Sequence, residues 1–234
     1  MARTGQTPNV NETSMPVRAL ALPFGLGSAL RHAKLFHPHG KILTGTLRRT
    51  AEGDIGLPVG SCEVMVRLST ALGLPRRVPD VAGLALRLPP TDRADGAWDM
   101  LLASAGRDVV TRCVPLPVLA FETASFSTLM PLQFEGRQWW VRARAVAAPP
   151  LPTLDSIVDA VRARPLVFEF EQAEGTGSYL PLAELTLNSV DESGGDLSFD
   201  PIRRTPDSVR PGPEWLRSLR ARAYLDSRRG RSDT

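Results

Sequence analysis

The fold of this chain is constrained most by a two-residue alternation of apolar and polar side chains, which recurs in short segments along most of its length. In residues 62–70, valines and a leucine take the even positions, while Met65, Arg67 and Ser69 take the odd ones. Successive side chains of a β-strand point to opposite faces, so this alternation predicts a strand that is buried on one face. Leucines within residues 82–89 repeat the pattern.

Segments of this kind predict about eight antiparallel strands, separated by turn signals such as Pro89-Pro90 and Glu135-Gly136. The strands are expected at about residues 41–49, 62–70, 82–89, 97–103, 126–134, 137–146, 164–172 and 180–188. Closing such a sheet into a barrel removes its unpaired edges, and a barrel of this size has room for packed side chains or one ligand. The predicted fold class is therefore α+β, mainly β: an eight-stranded antiparallel β-barrel with short helices and a C-terminal helix.

The rest of the chain is expected to add a few helices to a single domain. Residues 1–16 are polar and predict a disordered tail, whereas residues 17–234 are long enough for one domain with its own core. Thr153 is a favourable helix N-cap and is followed by Asp155 in the first turn. Helices are predicted at residues 17–36, 153–162 and 213–229, and longer loops at 104–125 and 191–212.

Composition and charge narrow the class of protein. A net charge of +3 without an aromatic-rich basic face argues against a nucleic-acid partner. No apolar run reaches the roughly 18 residues of a membrane span, and the first residues lack the basic-then-apolar order of a signal peptide. Cys62 and Cys113 are far apart and outside any CxxC spacing, which is typical of free thiols in a reducing cytoplasm.

All three histidines lie close together in the sequence, at His32, His37 and His39. On a strand, His37 and His39 would point to the same face, so one interpretation is a metal site and a metal-dependent hydrolase. The other interpretation is a polar segment at the beginning of a strand. No HExxH or CxxC motif accompanies the histidines, and no carboxylate partner lies near them in the sequence.

Tyr224 is one of two tyrosines, and it lies in an arginine-rich stretch late in the sequence. On a helix, Arg220 and Tyr224 are four residues apart and share a face. A guanidinium beside a phenol lowers the pKa of the phenol, and a phenolate is a suitable anionic ligand for ferric haem. The alternative is a tyrosine that packs on an arginine-rich terminal helix.

Six short segments, in the same order along the chain, resemble the haem catalases and their smaller catalase-related peroxidase relatives. The family patterns, with the residues similar to them, are HxxGxxxxG at 37–45, VRFST at 66–70, DxxGFA at 80–85, GNWDLV at 96–101, LxFxP at 197–201 and RxxxYxDTxxxR at 220–231. Their common order and spacing make the set specific. The resemblance implies a catalase-like barrel that binds one b-type haem.

The resemblance also implies a role for each matching residue. His37 would be the distal acid/base, and Ser69 would orient it through a hydrogen bond. Tyr224 would be the proximal ligand of the haem iron, with Arg220 as its charge partner. The haem propionates would be held by Arg67, Arg231 and Lys34, the last of which replaces an arginine of the family.

Two departures from the family pattern bear on activity. Ala103 stands where the family has a distal asparagine that polarises peroxide, and the chain is much shorter than a full catalase. We therefore expect a cytoplasmic haem peroxidase or weak catalase, monomeric or homo-oligomeric, that acts on hydrogen peroxide or organic hydroperoxides with an unidentified electron donor. Three alternatives stay open: a catalase-like protein that binds haem without turnover, the hydrolase that uses the three histidines, and a ligand-binding barrel without haem.

Overall fold

The computed structural model describes residues 39–74, 78–192, 197–201 and 203–212. This part of the chain contains ten strands: β1 His39–Arg49, β2 Cys62–Thr70, β3 Ala82–Leu88, β4 Trp98–Ser104, β5 Phe126–Ser127, β6 Leu132–Phe134, β7 Arg137–Val146, β8 Leu166–Glu174, β9 Leu180–Val190 and β10 Val209–Pro211. One α-helix, α1 (Leu154–Ala163), and two 3-10 turns, Thr111–Cys113 and Phe121–Thr123, complete the described elements.

Eight of the described strands close into a barrel. Antiparallel pairs run from β1 through β2, β3, β4, β5, β7 and β8 to β9, and β9 pairs in turn with β1. β6 and β10 lie outside this ring and extend the sheet from β7. The predicted eight-stranded antiparallel barrel in a mainly β fold is therefore confirmed.

The lumen of the barrel is filled by the apolar half of the alternating strands. Cross-strand pairing places Leu68, Leu84 and Leu102 in one row, with exposures of 0%, 1% and 4%. Phe126 and Phe168 lie on β5 and β8, which flank β7 in the barrel ring, and their ring centroids are 6.3 Å apart. Eight strands leave space inside for side chains, so this layer is the core of the domain. Residues at the alternate positions lie on the outer face of the barrel.

A glycine allows β1 and β9 to approach closely where their register shifts. The shift lies between Thr44 and Gly45 of β1. A Cβ at Gly45 would lie 2.1 Å from the backbone oxygen of Thr186, a separation that real Cβ atoms do not show. The seam that closes the barrel therefore requires a residue without a side chain at this position.

Two of the predictions for strands and loops differ from the structure. Segment 126–134, predicted as one strand, forms β5 and β6 instead, because Leu129 takes a positive φ of 59° between them. Only β5 joins the barrel ring. The predicted loop 191–212 contains β10, whose three residues are too few to show an alternation. The remaining strand ends agree with the prediction to within about two residues, the usual uncertainty of such boundaries.

The helix predicted to begin after Thr153 is confirmed as α1. The Thr153 hydroxyl accepts a hydrogen bond from the Ser156 N–H at 3.1 Å, and the Thr153 N–H donates to the Ser156 hydroxyl at 3.1 Å. This reciprocal arrangement is a capping box, which satisfies two backbone donors at the helix start. The buried face of α1, which includes Ile157 and Val161, belongs to the core, and the helix contacts β9 and β1.

Several other predictions concern residues outside the described part. The tail 1–16 and the helices predicted at 17–36 and 213–229 all lie there. Cys62 and Cys113 are described, and both are free thiols, as predicted. Within the described residues, no helix combines the length and the apolar composition needed to cross a membrane.

Candidate functional site

Small side chains line up across the outer face of β1 to β4. In register, Gly40 pairs with Ser69, Ser69 with Gly83, and Gly83 with Ala103. Four neighbouring strands thus carry no more than a methyl or hydroxymethyl group in this row, so the surface of the sheet is flat there. These four residues, together with Arg67 in the adjoining row, are called the small-residue face below.

Arg67 lies across the small-residue face and over β1. A Cβ added to Gly40 would lie 2.7 Å from the Cζ and Nε atoms of Arg67. The guanidinium therefore fills the space that a side chain at position 40 would occupy, and Gly40 helps to determine where this positive charge lies. Ser69 points to the same face two residues later and is 5% exposed, in agreement with the predicted alternation.

Asp80 holds the connection between β2 and β3 next to this face. Its carboxylate accepts hydrogen bonds of 2.7–3.3 Å from the backbone N–H groups of Leu72, Gly73, Leu74 and Val81. These hydrogen bonds hold residues 72–74, which follow β2, against the residues that precede β3. Asp80 belongs to one of the matching sequence segments, but the sequence alone did not reveal this anchoring role.

Arg87 and Asp99 fasten a later part of the chain to the outer face of β3 and β4. Arg87 donates from Nε and Nη2 to the two oxygens of Asp99, each at 2.8 Å. Its Nη2 also donates to the Ser198 carbonyl oxygen at 2.7 Å, and the Asp200 N–H donates to Asp99 Oδ2 at 2.7 Å. The Arg87 guanidinium lies over the ring of Phe199, 5.0 Å from its centroid. We call Arg87 and Asp99 the clamp, and residues 197–201 the clamped segment.

The clamp is electrostatically strong. The Asp99 side chain is fully buried, and that of Arg87 is 16% exposed. The hydrogen bond to Asp99 raises the pKa of the Arg87 guanidinium above its ordinary value, so this group stays charged. Spacing in the sequence did not reveal the pair, because Arg87 and Asp99 meet only through the register of β3 against β4.

The structure brings some of the predicted site residues together and does not describe the others. Arg67, Ser69 and Ala103 lie on the small-residue face. The backbone of His39 pairs with Thr70 at the start of β1. The predicted residues outside the described part are His32, Lys34, His37, Arg220, Tyr224 and Arg231. Among the residues that are described, no three or more His, Cys, Asp or Glu side chains are grouped to hold a metal ion.

No protein-family model matches the chain, and no curated protein matches it significantly. The chemistry of the small-residue face is therefore inferred from its own residues. Apart from Arg67, whose guanidinium lies over Gly40, this face carries no large side chain. Such a surface suits a planar group, and the guanidinium suits a carboxylate on that group. Ala103 contributes only a methyl group, whereas Ser69 contributes a hydroxyl.

Proposed function

We propose that this protein is a catalase-like haem peroxidase that reduces hydrogen peroxide or organic hydroperoxides at the small-residue face. The observation that carries the proposal is the common placement of Arg67 and Ser69 beside Gly40, Gly83 and Ala103 on one outer face of the barrel. A positive charge, a buried hydroxyl and a flat surface are the features that the haem pocket implied by the sequence resemblance would need there.

Chain connectivity supports the distal side of this proposal. His37 is two residues before His39, and the backbone of His39 pairs with Thr70, the neighbour of Ser69. Two residues span at most about 7 Å, so the chain carries His37 no further than that from the start of β1. In the proposed mechanism, the His37 imidazole accepts a proton from one peroxide oxygen and returns it to the other, and Ser69 orients the ring.

The clamp supports the proximal side. It fixes the clamped segment to the outer face of β3 and β4, two of the four strands that form the small-residue face, and Arg220 and Tyr224 follow later in the sequence. Haem, when bound, would supply the iron at which the peroxide bond is cleaved. Tyr224 would hold that iron through its phenolate, Arg220 would keep the phenol deprotonated, and Arg67, Lys34 and Arg231 would pair with the propionates.

Ala103 determines which peroxide chemistry we propose. A methyl group donates no hydrogen bond, so this position cannot polarise a bound peroxide as an amide would. Disproportionation of hydrogen peroxide, which uses a second peroxide as the reductant, should therefore be slow. Peroxidase turnover with a separate small electron donor, and with organic hydroperoxides among the substrates, fits this position better.

The spectrum of protein produced with a haem precursor tests haem binding. We expect a Soret band with high-spin ferric features in the wild type, and its shift or loss in Tyr224→Phe. Tyr179→Phe is the matched control, since Tyr179 is the other tyrosine and lies over Arg142 on β7, away from the small-residue face. A wild type that takes up no haem, or a Tyr224→Phe spectrum identical to that of the wild type, would contradict the proposal.

A second candidate is a haem-binding protein without turnover, and the methyl group of Ala103 is the observation that favours it. Peroxide-dependent oxidation of a donor dye by the holoprotein separates the two functions. We expect dye oxidation in the wild type, its loss in His37→Ala, and faster disproportionation of hydrogen peroxide in Ala103→Asn. Haem-loaded protein that oxidises no dye with any peroxide would leave haem binding as the function.

A further inference from the structure

Arg112 is a buried cation whose hydrogen bonds are incomplete. It belongs to the 3-10 turn Thr111–Cys113 and is 2% exposed. Its Nη2 donates to the Gly175 carbonyl oxygen at 2.5 Å. The Nε and Nη1 atoms are buried and have no hydrogen-bond acceptor within the described chain. Buried polar groups in folded proteins nearly always have a partner, so these two donors require an explanation.

Within the described part of the chain, no carboxylate balances the charge of Arg112. No described acidic side chain forms an ion pair with it, and Cζ instead lies 4.0 Å from the centroid of the Trp140 ring. Stacking on an aromatic ring and one bond to a carbonyl recover only part of the hydration that a guanidinium loses on burial. An anion is the partner that would both balance the charge and accept from the two donors.

Arg142, a nearby arginine, has the same kind of aromatic contact as Arg112 and a carboxylate partner in addition. Arg142 lies two residues after Trp140 on the same face of β7 and stacks on Tyr179, with Cζ 4.0 Å from the ring centroid. Unlike Arg112, it also pairs with Glu171, at 2.7 Å from Nη2 and 2.9 Å from Nε. Both arginines thus lie against an aromatic ring, but among the described residues only Arg142 has a carboxylate partner.

The nearest acidic residue in the sequence is already engaged elsewhere. The Asp108 carboxylate accepts hydrogen bonds from the N–H groups of Val110 and Thr111 and from the Thr111 hydroxyl. This carboxylate therefore organises the turn that carries Arg112 and does not neutralise its charge. On the other side, the Gly175 carbonyl belongs to the β8–β9 hairpin, in which residues 176–178 are exposed. The site therefore borders exposed residues on its hairpin side.

We propose that Arg112 is the centre of an oxyanion-binding site, in which a phosphate or carboxylate group of a small molecule accepts hydrogen bonds from Nε and Nη1. The site lies on the outer face of β7, next to Trp140 and the Gly175 turn. It is separate from the small-residue face and does not depend on haem. Phosphate and carboxylate share the chemistry that a guanidinium recognises, and the experiment below distinguishes them.

Thermal unfolding of the full chain in sodium phosphate, sodium acetate and sodium chloride at equal ionic strength tests the site. A ligand that binds only the folded state raises Tm, and we expect a rise of about 5 °C in the wild type near saturation with one of the two oxyanions. Arg112→Met, which keeps the length of the side chain but removes its charge, should lose this rise. In chloride, Arg112→Met should be at least as stable as the wild type, because the variant buries no unbalanced charge.

Arg48→Met is the matched control for unspecific effects of charge. Arg48 is exposed on β1, so this variant should keep the full response to the oxyanion. The proposal is overturned if the wild type has the same Tm in all three salts, or if Arg112→Met keeps the rise. A response to phosphate alone or to acetate alone supports the site and identifies the class of ligand.

NMR titration of the wild type is a second test, and it does not depend on whether Arg112→Met folds. The side-chain Nε–H resonance of Arg112 should shift in NMR spectra as inorganic phosphate or acetate is added, because that atom is a proposed donor. Arg112→Lys keeps the charge but lacks the planar set of donors, so its half-saturating oxyanion concentration should be about tenfold higher. An Nε–H resonance that does not move at any oxyanion concentration would exclude the site.

Discussion

Asp99 accepts two hydrogen bonds of 2.8 Å from Arg87, and this carboxylate is fully buried between β3 and the clamped segment. Removing one partner of a buried pair leaves an uncompensated charge. We expect Asp99→Ala to lower the free energy of unfolding by about 3–5 kcal/mol, measured by urea denaturation. The backbone N–H of Asp200 would also lose its acceptor, which adds to the loss.

An exposed ion pair on the same barrel provides the control for the clamp. Arg48 and Glu184 are 3.0 Å apart, with side chains 62% and 36% exposed. Water screens such a pair, so Glu184→Ala should change the free energy of unfolding by less than about 1 kcal/mol. If Asp99→Ala and Glu184→Ala lost similar amounts of unfolding free energy, the clamp would contribute no more to stability than an exposed surface pair does.

Gly45→Ala should weaken the seam between β1 and β9. Its Cβ would lie 2.1 Å from a backbone oxygen, so the strands must separate to admit it. Overpacking of this kind costs about 1–3 kcal/mol, and rigid backbone contacts lie at the upper end. Gly96→Ala is the control, since its nearest contact would be an ordinary 3.5 Å. If chemical denaturation gave the two variants equal stability, the close approach at Gly45 would not contribute to the free energy of unfolding.

Gly40→Ala should act on haem binding more than on folding. The new Cβ would displace the end of the flexible Arg67 side chain rather than backbone. Under the proposed function, haem affinity measured by titration should fall about tenfold, or about 1.4 kcal/mol, as it should in Arg67→Met. Gly96→Ala should bind haem like the wild type. Normal affinity in Gly40→Ala together with weak binding in Arg67→Met would show that Arg67 tolerates displacement.

The Cys62 thiol should react slowly with alkylating reagents. Burial raises the pKa of this thiol above its ordinary value of 9.0, and the nearby Glu63 adds to the effect. In Cys113→Ser, where Cys62 is the only thiol, labelling at pH 8 should be slower than that of a free thiol, and denaturant should remove the difference.

The same shift has a consequence for stability. The folded-state pKa of Cys62 lies above the unfolded-state value, so the unfolded chain releases its proton first as the pH rises. The contribution to stability is complete below about pH 9 and is lost above it. Denaturation of Cys113→Ser at increasing pH should show this loss, and Cys62→Ser in the same background should lack it.

Strand positions and the barrel could be predicted because alternation is a local property of the sequence. Thr153 could be predicted as a helix N-cap because capping also depends on residues that are close together in the sequence. The break between β5 and β6 could not be predicted, since it depends on a positive φ at Leu129, a residue type that rarely adopts it. The three residues of β10 carry too short a pattern, and they form a strand because β6 offers them a partner.

The site could be predicted only in part. Alternation placed Arg67 and Ser69 on one face, and the structure agrees. The clamp depends on which residue of β4 lies opposite Arg87, and no spacing within one segment contains that information. The unbalanced charge of Arg112 depends on three parts of the chain, since its turn, Trp140 and Gly175 meet only in the folded barrel.

The short strand β10 also affects how the protein behaves at high concentration. A sheet that ends in a long, flat edge offers its unpaired backbone groups to other molecules and promotes aggregation. Here β10 covers β6, is only three residues long, and carries an exposed arginine at position 210 followed by Pro211. Proline lacks a backbone N–H, and the charge of Arg210 disfavours stacking of one edge on another. At this margin of the sheet, self-association through added strands is therefore discouraged.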